Sequence, residues 1–319
     1  MTGSRRWFLR GLAAAPFVAP AVAWGKFTAP NAKARAAAVG PLDGLAEEWR
    51  PAFTEGPDDA PMPAPGRGDW LAQHREPPQS FAKFKKDRYH VPTAERGKIA
   101  VQPLGALAES TPLAAILDFG ERWFGMPVVQ REPLEIGKLG AQSRGQGRHR
   151  QFHTRGLLNS LRRRVPEDVY CLIAVTQVDL YPDPTWYFVF GEARLYDRVG
   201  VYSFARYDPT FYGETPTADT PTQVLRRSLK LMAHEVGHMF GMLHCVHFHC
   251  VMNGTNNLPE TDRSPLQLCP VCLRKLQDSV GFNVAVREHR LAEFYAQHGL
   301  DAEAAVASRR LARMFAAAG

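Results

Sequence analysis

No cysteine occurs before Cys171, and the chain of 319 residues holds only five, at 171, 245, 250, 269 and 272. That scarcity excludes a small scaffold stapled by disulfides. It also sets aside a latency device built on an N-terminal thiol, and it argues against a lipid anchor after the N-terminal apolar run. That run, Gly11 to Val22, is too short and too broken by Pro16 and Pro20 to span a bilayer stably. Acidic residues are in deficit, 32 against 39 Lys and Arg, giving a charge of +7. A basic chain invites a nucleic-acid reading, yet aromatic-basic alternation and a recognition-helix pattern are both missing, so no nucleic-acid partner is expected. The excess sits partly in Lys83, Lys85, Lys86 and Arg88 and in Arg309, Arg310 and Arg313, as a solvated surface would carry it. A hydrophobic content of 45% suffices for a real core in one large or two small domains.

What the chain does have is concentrated at 234 to 252, H-E-V-G-H-M-F-G-M-L-H-C-V-H-F-H-C-V-M. His234 and His238 are four apart and share one face of a helix, with Glu235 beside them. Gly241 can adopt the left-handed conformation that ends a helix and turn the chain so that His244 reaches the same ion. Three imidazoles and one open position describe a catalytic zinc rather than a structural one. The helix is expected from Thr220 as N-cap, through Pro221 and Gln223, to about Phe240. Leu225, Leu229, Met232, Val236 and Met239 form its buried stripe, nearly opposite the histidines.

Beyond His244 come Cys245, Cys250 and Met252, then Cys269-Pro270-Val271-Cys272. Two paired sets of thiols have the spacing of a closed, tetrahedral four-sulfur zinc site. This combination resembles the archaemetzincins, most closely in M-N-G-T-N-N-L-P-E-T-D-R-S-P-L-Q-L-C-P-V-C-L-R-K-L, residues 252 to 276. The resemblance implies His234, His238 and His244 on a catalytic zinc, Glu235 as catalytic base, and Cys245, Cys250, Cys269 and Cys272 on a second zinc. Met252 would be the Met-turn residue beneath the first metal. It further implies an α+β, metzincin-like zincin domain: a mixed twisted sheet with helices above the active-site helix, and a small C-terminal subdomain holding the four-cysteine site.

Residues 4 to 10, S-R-R-W-F-L-R, read as a twin-arginine (Tat) signal, with Ala21-Val22-Ala23 as its cleavage site. The expected partner is the Tat export machinery, and the expected location is periplasmic or secreted, or cytoplasmic without that signal. In an oxidising compartment the four thiols would alternatively pair as two disulfides. Tat substrates travel folded, so metallation before export favours zinc.

Residues 24 to 97 are rich in Pro, Ala and Gly and read as an extension. Its part G-D-W-L-A-Q-H-R-E-P-P-Q-S-F, 68 to 81, resembles the leader of animal archaemetzincins and is expected to pack on a catalytic domain spanning 98 to 285. Strands are expected at Ile99 to Leu104, Pro127 to Pro133, Val169 to Val175, Trp186 to Ala193 and Val199 to Arg206. Helices are expected at Pro112 to Trp123, Thr154 to Val165, Leu273 to Ser279 and Val286 to Phe315, with a loop at Gly140 to Arg148. By resemblance, Trp186 to Ala193 would be an antiparallel edge strand above the cleft, able to bind a peptide as an added strand. Residues 286 to 319 form a C-terminal helix or tail. Cys171 reads as a core residue. His247 and His249 read as neighbours of a sulfur site already complete, and Asn253-Gly254-Thr255 as turn chemistry.

The expected reaction is hydrolysis of peptide bonds, endo- or aminopeptidase in mode, with Glu235 taking a proton from water and returning it to the leaving amine. No tyrosine follows Met252 closely enough to stabilise an oxyanion. The alternative is a catalytically silent, zinc-stabilised peptide- or protein-binding module, against which Glu235 argues. A zinc protein for nucleic acid rests only on pI and C-P-V-C.

Overall fold

The structure, a computed structural model, describes residues 27–316, so the twin-arginine segment lies outside the described residues. The chain begins with α1 (Ala32–Val39), whose N-terminus is capped by Asn31, a 3-10 turn (Glu47–Phe53), α2 (Trp70–Gln73) and α3 (Phe81–Asp87), capped by Ser80. Then follow β1 (Lys98–Leu104), α4 (Leu113–Phe124), β2 (Val128–Gln130), β3 (Ser143–Arg144), β4 (Gln151–His153), α5 (Thr154–Arg162), β5 (Val169–Thr176), β6 (Asp179–Tyr181), β7 (Gly191–Arg194) and β8 (Val199–Ser203). The helices α6 (Thr220–Met239), α7 (Leu258–Arg263), α8 (Pro270–Val280), α9 (Val284–Gln297) and α10 (Asp301–Ala316) complete it.

The main sheet runs β2-β1-β5-β8-β7. Four strands are parallel and β7 pairs antiparallel with β8 at the edge. In the middle, β5 is buried at all eight residues, which is why V-Y-C-L-I-A-V-T is continuously apolar rather than alternating. Cys171 lies fully buried in it, and burial pushes its thiol far up, as a core residue's should be. Helix α6 packs against one face of the sheet with Leu225, Leu229, Met232, Val236 and Met239 all buried. Among the described residues no helix is long and apolar enough to cross a membrane.

Four expectations change. Helix α6 begins one residue earlier than the capping pattern predicts: Asp219 flanks it, and the Thr220 hydroxyl accepts from Thr217 N instead of closing a capping box. The run Trp186 to Ala193 is strand only from Gly191. Arg144 draws the carbonyls of Pro184, Trp186 and Tyr187 to itself, and Gln151 Nε2 donates to Tyr187 O, so 184 to 190 form a roof loop. Gly140 to Arg148 contains the short β3, part of a second sheet β3-β4-β6. The single helix expected at Val286 to Phe315 is two, because Gly299 takes φ +65 and lets α10 fold back on α9.

Residues 27–97 form a clasp around the rest. Phe53 and Phe84 are 1% and 0% exposed, each contributing roughly 2–3 kcal/mol of apolar burial. Pro61 bridges Phe248, and Gln267 donates to Asp58 O. At the other end of the chain, Arg309 grips Asp58 and buried Arg310 donates to Asp59.

Candidate active site and metal centres

Helix α6 ends where Gly241 takes φ +87, a conformation costly for any residue with a Cβ, and the chain doubles back to His244. Gln79 fastens that turn from the clasp: its amide donates to Gly241 O and accepts from Leu243 N, both at 3.0 Å. Lys275 of α8 donates to the same Gln79 oxygen. Met252 lies directly under α6. A Cβ on Gly237 would fall 2.6 Å from its sulfur, so only glycine lets helix and Met-turn touch.

The three imidazoles converge. His234 and His238 bring their Nε2 atoms 3.0 Å apart, and the ligand atoms of all three rings lie within 4.8 Å of one another. Zn–N bonds of about 2.0–2.1 Å in a tetrahedron put nitrogens about 3.3 Å apart, so the rings fit one zinc. Each Nδ1 is anchored: His234 to Val251 O at 2.9 Å, His238 to Met242 O at 2.7 Å, and His244 to Glu76 Oε1 at 2.7 Å. Carbonyls and carboxylates only accept, so each Nδ1 carries the proton and each Nε2 presents a lone pair. Burial drives His234 down to about 3 and His238 well below its ordinary value, with the neighbouring rings adding to it, so both stay neutral as ligands must.

Glu235 is buried beside these imidazoles. Burial first, then the nearby Glu192 carboxylate, pushes it up to about 8, and a divalent cation beside it acts in the opposite sense. Glu192 itself is held by the Thr154 hydroxyl. The cleft of about 490 Å³ runs from Trp70, Glu76 and Trp186 past the histidines to Lys230, Thr261 and Ser264. Burial lowers the Lys230 ammonium to about 8.

Nothing in the sequence reading singled out Glu76. Burial works to raise its carboxyl, but hydrogen bonds from His244 and from Trp70 Nε1 at 2.7 Å outweigh this and hold it below the usual value. Trp70 stacks on His74 and meets His244 edge-on. The only available hint was the family-like stretch 68 to 81, which marks packing and not a partner for a ligand 168 residues away.

Cys245, Cys250, Cys269 and Cys272 form the second cluster, all buried, all free thiols, with Sγ atoms within 4.8 Å of one another. Cys245 and Cys269 sulfurs are 3.7 Å apart, matching the roughly 3.8 Å edge of a tetrahedron with Zn–S bonds of about 2.3 Å. Hydrogen bonds from the other three thiols hold Cys245 well below its ordinary value. His247 is buried beside it and His249 partly exposed, and neither joins the cluster. Asn253 organises the loop as turn chemistry, accepting from Cys250 N and donating to Cys245 O and Phe248 O.

The profile of peptidase family M54 matches residues 151–278. Archaemetzincin-2 of Rattus norvegicus is 35% identical over 265 residues, 73% of this chain and 74% of that protein. Archaemetzincin-2 of Homo sapiens is 35% identical over 257 residues, 71% of each chain. The crystal structure of archaemetzincin from Methanopyrus kandleri aligns at 28% identity and a TM-score of 0.48, over 60% of this chain and 100% of that one. The chain belongs to the archaemetzincin family, the zinc metallopeptidases of peptidase family M54.

Proposed function

We propose that this metallopeptidase carries two zinc ions per chain, one on His234, His238 and His244 for catalysis and one on Cys245, Cys250, Cys269 and Cys272 for structure. The observation that carries the first site is the set of three Nδ1-anchored imidazoles converging beside a buried glutamate. Zinc held there by neutral imidazoles would lower the pKa of water to about 7 and polarise a peptide carbonyl. Glu235 accepts the proton of the attacking water and delivers it to the leaving amine. Gly237 and Met252 hold the helix that carries it, and the clasp through Gln79 holds the turn to His244. The antiparallel edge strand β7, on the rim of the cleft, supports the binding of an extended peptide by strand addition. The twin arginine at Arg5 and Arg6 supports export of the folded, metallated chain to the periplasm through the Tat machinery.

The test is metal content with activity. The purified protein is expected to hold two zinc ions and to cleave quenched-fluorescence peptide pools, with cleavage lost on chelation and restored by zinc. Two zinc ions with no cleavage of any pool would instead favour a silent binding module.

Glu76 is a positioning residue for His244. Glu76→Gln is expected to weaken the first zinc about 10- to 100-fold, as loss of a carboxylate behind a histidine ligand does, leaving the second site filled. Competition with a zinc-chelating dye measures this without any peptide. Unchanged affinity would leave Glu76 as a packing residue only.

A further inference from the structure

Lys230 lies one helical turn before His234, lines the same cleft, and is 5% exposed. Its Nζ donates to two main-chain carbonyls, Thr261 O at 2.9 Å and Asp262 O at 3.1 Å. An ammonium has three donors, so one is left over. The two carboxylates whose charge it feels most are already engaged: Asp262 is held on both oxygens by Arg227, and Glu303 by Arg226. Among the described ion pairs none includes Lys230. A buried charge without a counter-ion is costly, and anchoring two carbonyls needs only a neutral donor. The same cleft wall carries Asn253, Thr255, Thr261 and Ser264, polar groups without charge, and of these Thr261 meets Lys230 directly.

We propose that Lys230 determines specificity by taking a substrate carboxylate into this part of the cleft, so that the enzyme prefers peptides with an acidic group close to the scissile bond. The distance suits it. Four residues of helix rise about 6 Å, roughly two residues of an extended peptide, so the group belongs to the residue beside the scissile bond or the next. The carboxylate comes either from an Asp or Glu side chain or from a free C-terminus, and both present the same two acceptor oxygens to the third ammonium hydrogen.

The inference rests on the peptidase reading, and its test separates the two. Peptides with amidated C-termini, carrying Glu or Gln at each position flanking the cleaved bond, are compared by kcat/KM on the wild type. The same peptides, fluorescently labelled, are compared by Kd on Glu235→Gln, which binds without turnover. The wild type is expected to favour Glu over Gln about 10- to 100-fold at one position, the range of a charge-assisted hydrogen bond. Lys230→Gln, which can still donate to the Thr261 and Asp262 carbonyls, is expected to compress that ratio to within about threefold, and Lys230→Arg to keep most of it. Acidic preference seen only with a free C-terminus, and lost on amidation, supports the subsite and identifies the terminal carboxylate as its ligand. Equal use of Glu and Gln peptides by the wild type, or a preference that survives Lys230→Gln, overturns it. Discrimination in binding with no cleavage at all keeps the subsite and removes the peptidase reading instead.

Discussion

Glu235→Gln is expected to lower kcat by about 10²- to 10⁴-fold, with KM and zinc content near wild type. That loss corresponds to about 3–5 kcal/mol of transition-state stabilisation. The amide keeps the volume of the carboxyl, which matters because the cleft closes tightly around it: a Cβ on Gly191 would come within 2.7 Å of Glu235 Oε1. What the amide cannot do is accept a proton from water and pass it to the leaving nitrogen. A steady-state assay on a quenched peptide, run beside a zinc determination, checks both halves. Retention of activity to within tenfold would remove Glu235 from the proton path, and loss of zinc together with activity would make it a structural support of the ligands.

The four-sulfur site should have the second large effect, on stability. Cys272→Ser is expected to reduce zinc from two ions per chain to one and to lower the melting temperature by at least about 10 °C, because structural zinc contributes on the order of 10 kcal/mol of folding free energy. The loss should reach the catalytic turn. Cys272 lies in the first turn of α8, and Lys275 in the next turn donates to the Gln79 oxygen that also receives Leu243 N. The first zinc is therefore expected to bind more weakly as well, measurable with the same chelating dye. Thiol titration of the denatured, chelated wild type distinguishes zinc from disulfides: five reactive thiols fit the structure, and one thiol would mean that Cys245, Cys250, Cys269 and Cys272 are paired.

Both groups of residues that could hold a metal were legible in the sequence because their geometry is local. His234 and His238 are one turn apart, Gly241 supplies the bend to His244, and the two cysteine pairs flank a single loop. The core of the sheet was legible for a related reason, since a continuous apolar run such as Val169 to Val175 has few other uses. Trp186 to Phe190 misled because an apolar, aromatic run reads as strand, while the arginine and glutamine that pull its carbonyls out of register lie more than thirty residues away. Glu76, Gln79 and Lys230 were not legible as site residues. A proline-rich extension gives no period to read, and Lys230 on a helix surface looks like any solvated lysine until α7 and its flanks cover it.

The clasp has a consequence for the order in which the enzyme can assemble. The contacts that fasten the clasp join residues made early to residues made late: Glu76 meets His244 across 168 positions, Trp70 N meets Glu260 across 190, and Asp58 meets Arg309 across 251. Contacts of such separation require large loops to close and form slowly. The N-terminal arm therefore leaves the ribosome first and cannot complete its contacts until the last helices are synthesised. Maturation of the active centre is then a single late event of the whole chain, and a nascent or truncated form, including one limited to the family-matched stretch 151–278, lacks the carboxylate and the amide that fix its third ligand.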